Sequence, residues 1–152
     1  MSGLELRDMV HHGGTESTER GPRPSRERMN QLAELVIGAA IEVHRNLGPG
    51  LLESTYETCL CHELAQRGLK FERQHDLPVR YKNFCLDAGY RIDVLVEGWL
   101  VVELKAVEKV TELHKAQLLT YLKMFDTWLG LILNFNVPMM RDGIHRLANG
   151  AV

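Results

Sequence analysis

An acid and a base stand two residues apart inside an apolar run in the second half of the chain. The run is VVELKAV, Val101 to Val107, and its composition is typical of a buried strand. Removing a charged side chain from water is costly unless it is paired or bound to a metal. Because side chains alternate along a strand, Glu103 and Lys105 lie on one face together with Val101. The pattern indicates either a structural ion pair or a chemical site.

A second carboxylate precedes this strand. Asp93 lies in the segment YRIDVLV, which is joined to the first run by a tight turn around Glu97-Gly98-Trp99. A three-residue loop would place Asp93 on the same sheet face as Glu103, within reach of a shared ion. A two-residue loop would place them on opposite faces.

Two carboxylates that lie close together raise one another's pKa unless a cation sits between them. Mg²⁺ suits such a pair, because it binds one or two carboxylates together with water and phosphate oxygens. Lys105 would then orient or activate a water and stabilise charge that develops on a phosphate. The alternative is an Asp–Lys–Glu ion-pair network that only stabilises the fold.

Two helical segments offer further polar side chains. In HKAQLLTYLKMF, Gln117 and Tyr121 are four residues apart and share a helix face with Leu113, so both polar groups are predicted to point toward the sheet. In GPGLLESTYE, Glu53 lies three residues before Tyr56 in the first turns of a helix. Glu53 is either a third carboxylate at the edge of the cleft or an acid that is favourable beside the helix dipole.

The element order predicted around these residues is α-α-β-β-β-α-β. The first helix begins near Asn30 and the second runs from about Leu51 to Arg67, with Leu52 facing inward. Strands are predicted in KFERQHDLPVRY, FCLDAGYRIDVLV and LVVELKAV. Thr111 is the expected N-cap of the third helix. A buried strand, TWLGLILNFNV, and a terminal hairpin or edge element, MMRDGIHRL, follow.

Composition divides the chain into one domain and two tails. Residues 1–29 are rich in Gly, Pro, Ser and charge and are predicted to form a flexible tail. Residues 30–148 are predicted to form the domain, and residues 149–152 a C-terminal tail. The chain has 152 residues, which is enough for one core without stapling.

Net charge and hydropathy argue against several classes of protein: tight duplex binders, membrane proteins and secreted disulfide-rich proteins. The net charge is −2, which argues against tight non-specific duplex binding, although a local cleft can still meet nucleic acid. No apolar run approaches the ~20 residues that span a bilayer, so no membrane association is expected. The N-terminus lacks the basic-then-apolar order of a signal peptide, and three cysteines do not suggest a disulfide framework. A cytoplasmic location is therefore expected.

The stretch Gly50 to Tyr56, GLLESTY, resembles the pattern that names the bacterial GxxExxY proteins. The resemblance continues through ERQHDLPVRYKN, YRIDVLVEGWLVVELKAV, HKAQLLTYLK and LGLILNFNVPMMRDGIHR, and covers about residues 31–146. These proteins are similar to small members of the PD-(D/E)XK nuclease superfamily. The resemblance implies an α/β, restriction-endonuclease-like α-β-β-β-α-β core with a mixed central sheet flanked by helices, plus an extra N-terminal helix.

Transferred residue by residue, the resemblance implies Asp93 and Glu103 as metal ligands and Lys105 as the catalytic lysine. Glu53 matches a helix glutamate found in many members, and Gln117 and Tyr121 match a Q-x-x-x-Y pattern. The full set of implied catalytic residues is Asp93, Glu103, Lys105, Glu53, Gln117 and Tyr121. The chain departs from the pattern at Ile92, where proline often precedes the aspartate.

The function predicted from these residues is a Mg²⁺-dependent nuclease-like phosphodiesterase acting on DNA rather than RNA, with Mn²⁺ as an alternative ion. Asp93, Glu103 and the Leu104 carbonyl would be the metal ligands. The alternative is a non-catalytic module that keeps the fold and binds nucleic acid or protein. A two-carboxylate glycosidase is disfavoured because no aromatic cleft accompanies the pair. A homodimer and an unidentified targeting protein are both compatible with so small a chain that lacks a separate DNA-targeting domain.

Overall fold

A computed structural model describes residues 20–150 of the chain. Its helices are α1 (Arg26–Leu47), α2 (Glu53–Gln66) and α3 (Glu112–Phe125). Its strands are β1 (Phe71–Asp76), β2 (Val79–Tyr81), β3 (Phe84–Leu86), β4 (Arg91–Val96), β5 (Leu100–Lys105), β6 (Leu129–Asn134) and β7 (Ile144–Ala148). A short 3₁₀ helix, Met140–Gly143, precedes β7.

Five strands form one mixed sheet in the order β1-β4-β5-β6-β7. Strands β5 and β6 are parallel, because α3 crosses between them, and the other neighbours are antiparallel. Strands β2 and β3 form a separate two-stranded hairpin. The predicted α/β class, with a mixed sheet and an additional N-terminal helix, is confirmed. The first predicted strand segment contains β1 and β2, and the second contains β3 and β4. The hairpin is formed by the last strand of the first segment and the first strand of the second.

Helices cover both faces of the sheet. Residues of α1 and α2 pack in one apolar cluster with Leu100, Val102 and Leu104, whereas residues of α3 pack in a second cluster with Val101. Alternation along β5 therefore directs Glu103 to the same side as α3. That side of the sheet near the end of β5 carries the candidate chemistry.

Helix α1 begins at Arg26, four residues before the expected start near Asn30. The Ser25 hydroxyl accepts a hydrogen bond from the Arg28 N–H at 3.0 Å, which caps the first turn. Thr111 caps α3 in the same way, as predicted.

Parts of both predicted tails contact the domain. The Arg20 guanidinium lies 3.6 Å from the centre of the Trp99 ring, a cation–π contact, and the Trp99 indole N–H donates to the Arg20 carbonyl. Asn149 forms hydrogen bonds through both its backbone and its side chain. The predicted flexibility of residues 1–19 lies outside the described residues.

Two apolar residues predicted to face inward are exposed. Leu52, the N-cap residue of α2, is 74% exposed, and Leu113 in the first turn of α3 is 77% exposed. Both residues lie at the N-terminal end of a helix. The apolar periodicity of the sequence extends to that end, but the side chains there remain exposed to solvent. Among residues 20–150, no helix combines the length and the apolar character needed to cross a bilayer.

Candidate active site

The turn between β4 and β5 fixes the relation of the two carboxylates. It contains three residues, Glu97-Gly98-Trp99, and the first two adopt left-handed φ angles of +54° and +77°. Val94 pairs with Val102 across the two strands. Continuing this antiparallel register by one residue places Asp93 directly opposite Glu103. The three-residue alternative is therefore the one that the chain adopts.

Each carboxylate is held by the main chain of the opposite strand. The Asp93 N–H donates to Glu103 Oε2 at 3.0 Å, and the Leu104 N–H donates to Asp93 Oδ2 at 2.9 Å. Because these bonds cross between β4 and β5 in both directions, the two side chains are oriented before any ligand binds.

Glu103 is in an environment that disfavours its charged form. Only 7% of the residue is exposed, and burial raises its pKa to about 8, with the negative charge of Asp93 adding to the effect. The Asp93 N–H and the positive charge of Lys105 act in the opposite direction. A cation between the carboxylates would remove this penalty.

Asp93 has a raised pKa for the same principal reason, burial. The hydrogen bond from Leu104 lowers that pKa, the negative charges of Glu57 and Glu53 raise it, and Lys105 lowers it. Three acids, Glu103, Glu57 and Glu53, and one lysine thus surround Asp93. Glu53 contributes although it is exposed, at the first turn of α2.

A buried asparagine orders the chain that follows Lys105. Asn134 is 2% exposed and lies beside Lys105 in the parallel register of β5 and β6. Its side chain accepts from the Val107 N–H at 3.1 Å and donates to the Val107 carbonyl at 2.9 Å. Sequence reasoning missed Asn134, although one polar residue at the end of the apolar run LGLILN was a usable signal.

Tyr121 lies near the carboxylates, whereas Gln117 is less enclosed than expected. Tyr121 is 7% exposed, and its pKa is raised by burial and then by the charges of Glu103 and Asp93. Gln117 is exposed, so its predicted burial is wrong. The first buried residue of α3 is Leu118. A role for Gln117 stays a prediction.

Tyr56 explains why α2 begins where it does. Its hydroxyl donates to the Gly48 carbonyl at 2.6 Å and accepts from the Leu51 N–H at 3.1 Å. Its ring stacks on Phe135, with centroids 4.5 Å apart. Gly50, at φ +99°, makes the bend that these bonds close. The spacing of Gly50 and Tyr56 thus shapes the loop that presents Glu53.

Glu57 is an acid of the site that the sequence interpretation did not single out. It is 8% exposed and accepts hydrogen bonds from Arg73 Nε and Gln74 Nε2, each at 2.9 Å. Gln74 has a left-handed φ of +52° and lies between Arg73 and His75, which pair with the residues on either side of Asp93. The four-residue spacing of Glu53 and Glu57, on one helix face, was a signal for this position.

The donors suit a hard divalent cation with an incomplete protein shell. No group of three or more His, Cys, Asp and Glu side chains with metal-binding geometry occurs within residues 20–150. Two facing carboxylates are sufficient for Mg²⁺, which retains waters and takes substrate oxygens. A cavity of about 350 Å³ opens at the other end of β4 and β5, beside Gly98, and neither carboxylate lines it.

Comparison with known proteins gives one match. Residues 30–147 match the family model of the PD-(D/E)XK nuclease superfamily. No curated protein and no solved structure matches the chain. The match covers the helices and strands that carry the carboxylates, the lysine and Tyr121. The narrower GxxExxY resemblance stays a prediction.

Proposed function

Because the chain belongs to the PD-(D/E)XK nuclease superfamily, we propose that it is a Mg²⁺-dependent nuclease that hydrolyses DNA phosphodiester bonds. The observation that carries the proposal is the crossed pair of hydrogen bonds that orients Asp93 and Glu103 toward each other. An ion pair that only stabilised the fold would not need a buried acid facing a half-buried acid, both with raised pKa values. Mn²⁺ would be accepted by the same oxygens.

The cation would be held by Asp93 and Glu103, with the Leu104 carbonyl as a further ligand. When bound, it would lower the pKa of a coordinated water and neutralise phosphate charge. Glu103 would release its proton on binding, since its pKa of about 8 leaves it largely protonated near neutral pH.

Lys105 and Tyr121 would act on the phosphate. The Lys105 ammonium lies near both carboxylates, since its charge lowers both of their pKa values. It would orient the attacking water and stabilise the charge that develops on the phosphoryl oxygens. The Tyr121 hydroxyl keeps its proton because its pKa is raised, so it can donate to a phosphate oxygen. Glu53 and Gln117 would complete the cleft.

Calorimetric titration with Mg²⁺ and Mn²⁺ tests the metal site. Wild type is expected to bind, whereas Asp93→Ala and Glu103→Ala are not, because each removes half of the carboxylate pair. Glu34→Ala is the matched control, since it removes an exposed acid of α1 for which no site role is proposed.

Incubation with linear duplex DNA, single-stranded DNA and RNA of the same sequence tests the reaction. Metal-dependent cleavage of DNA by wild type and by Glu34→Ala, absent from both site variants, is the expected result. Cation binding without cleavage of any of these substrates would favour the non-catalytic module. If wild type shows no cation binding and no cleavage of any substrate, the proposal is contradicted altogether.

A further inference from the structure

The β2–β3 hairpin leaves the main sheet at the end that carries the candidate site. It connects the last residue of β1, Asp76, to the first residue of β4, Arg91, which lies two residues before Asp93. Every residue from Arg80 to Arg91 is exposed except Cys85, which is half-buried. The hairpin therefore projects into solvent beside the carboxylates rather than contributing to the core.

One face of the hairpin is apolar and uncovered. Tyr81 pairs with Phe84 and Val79 pairs with Leu86, so these four side chains share a face. Tyr81 is 62% exposed, Phe84 58% and Leu86 43%. Clustered exposed apolar side chains of this kind mark a binding surface more often than a solvated one.

The charge of the hairpin is complementary to a polyanion. Residues 79–86 carry two cations, Arg80 and Lys82, and no acid, although the whole chain has a net charge of −2. The Lys82 ammonium lies 5.3 Å from the centre of the Tyr81 ring, so cation and ring occupy the same tip. Aromatic rings that stack on bases, placed beside cations that meet phosphates, are characteristic of single-strand binding.

Tyr90 connects the hairpin to the carboxylates. It follows β3, is 44% exposed, and its ring meets the Tyr121 ring edge-on with centroids 6.2 Å apart. Tyr121 in turn lies in the electrostatic field of Glu103 and Asp93. Aromatic side chains thus extend from the hairpin base to the acids.

We propose that the β2–β3 hairpin is a stacking platform for unpaired bases of single-stranded DNA, whose backbone passes Tyr90 and enters the candidate site. The inference rests on the proposed nuclease function and adds a substrate class to it. Tyr81 and Phe84 stack on successive bases, and Lys82 contacts a phosphate at the tip. Arg80, which pairs with Cys85 on the opposite face, adds positive charge at longer range. Single strands and frayed ends are therefore bound in preference to blunt duplexes, whose bases are not available for stacking.

Binding of an oligothymidylate that carries 2-aminopurine tests the platform without requiring cleavage. It is measured in a chelator by fluorescence anisotropy, and stacking is read from quenching of the 2-aminopurine. The Tyr81→Leu/Phe84→Leu double variant keeps an apolar face without rings. Its affinity is expected to fall roughly tenfold or more, with loss of quenching, because stacked rings contribute strongly for each base.

The matched control is the Tyr81→Phe/Phe84→Tyr double variant, which keeps both rings and is expected to bind and quench as wild type does. Since all four changes are at exposed positions, both variants are expected to fold. Wild-type affinity and quenching in the leucine variant would overturn the inference. Failure of wild type to bind the oligonucleotide would also overturn the inference. A leucine variant that binds normally but no longer self-associates in sedimentation would overturn it too, because the hairpin would then be a contact between copies of the chain.

Failure of the inference and failure of the proposed function are distinguishable. Ring-dependent binding without metal-dependent cleavage would support the platform and contradict the nuclease. Cleavage of single strands at equal rates by wild type and the leucine variant would support the nuclease and contradict the platform.

Discussion

Replacing Glu103 by glutamine is expected to stabilise the metal-free protein at alkaline pH while abolishing the proposed Mg²⁺-dependent cleavage. The pKa of Glu103 is about 8 in the folded protein, against an ordinary value of 4.5 that holds in the unfolded chain. Between these values the folded state holds a proton that the unfolded state has lost. Stability therefore falls as pH rises through this window, by up to about 1.4 kcal/mol per pH unit.

The total effect across the window is on the order of 5 kcal/mol, a large part of the stability of an ordinary domain. Glutamine mimics the protonated acid. Its carbonyl oxygen can accept from the Asp93 N–H as Glu103 Oε2 does, and its amide can donate to the Asp93 carboxylate. The variant consequently avoids the buried charge at every pH.

Urea denaturation in a chelator, at about pH 5 and about pH 8, measures the effect. The free energy of unfolding of Glu103→Gln is expected to equal that of wild type at the lower pH and to exceed it by a few kcal/mol at the higher pH. Glu34→Gln, at an exposed position of α1, should track wild type throughout. A difference between Glu103→Gln and wild type that does not change with pH would refute the assignment of a raised pKa to this carboxyl group.

Three further predictions concern the Tyr56 hydroxyl, the packing of Gly143 and the response of the folded protein to Mg²⁺. Tyr56→Phe removes the hydroxyl bonds to Gly48 and Leu51, so we expect a loss of about 1–2 kcal/mol in urea denaturation, with weaker cleavage through the displaced Glu53. Gly143→Ala would bring a methyl group within 2.0 Å of the Asn134 carbonyl oxygen, and it should cost about 1–3 kcal/mol or more in the same assay. Mg²⁺ should raise the thermal midpoint of wild type at alkaline pH but not that of Asp93→Ala, since binding stabilises only a folded site with both acids. Unchanged midpoints in the first two variants, or an equal Mg²⁺ response in Asp93→Ala, would contradict the respective assignments.

The relation of the two carboxylates was the part of the site most accessible from sequence. Period-two alternation placed Glu103 and Lys105 on one face, and the Glu97-Gly98-Trp99 turn reduced the position of Asp93 to two alternatives. The sequence could not choose between them, because loop length depends on where pairing stops. The observed register of β4 and β5 shows that Asp93 and Glu103 share one face of the sheet.

The rest of the site depended on tertiary contacts that no local pattern reports. Gln117 shares a helix face with Tyr121, yet the first buried residue of the helix is Leu118 and Gln117 itself is exposed. Glu57 became part of the site through Arg73 and Gln74, which lie on β1, the strand that follows its helix. Periodicity identifies which face of an element is apolar, but it does not show how far along the element its partner extends.

The hairpin illustrates the same limit at the level of the fold. The segments on either side of Lys82-Asn83 have strand composition, and a strand–turn–strand pattern was visible there. Nothing local shows that β2 and β3 pair only with each other and leave the sheet. Their separation arises because β1 pairs with β4 instead, which leaves residues 80–90 exposed apart from the half-buried Cys85.

Cleavage of end-labelled single-stranded DNA by wild type, Lys105→Met and Lys109→Met, in Mg²⁺, tests the central claim most directly. Lys105 is placed on the phosphate and not among the metal ligands, so its variant should still bind Mn²⁺ in calorimetry. We predict a fall in cleavage rate of about 100-fold or more in Lys105→Met, the scale expected for lost transition-state charge stabilisation. Lys109→Met, which changes an exposed lysine in the following loop, should cleave as wild type does. Equal rates in all three proteins, or no cleavage by wild type although it binds the ion, would contradict the assignment of this site as a nuclease centre.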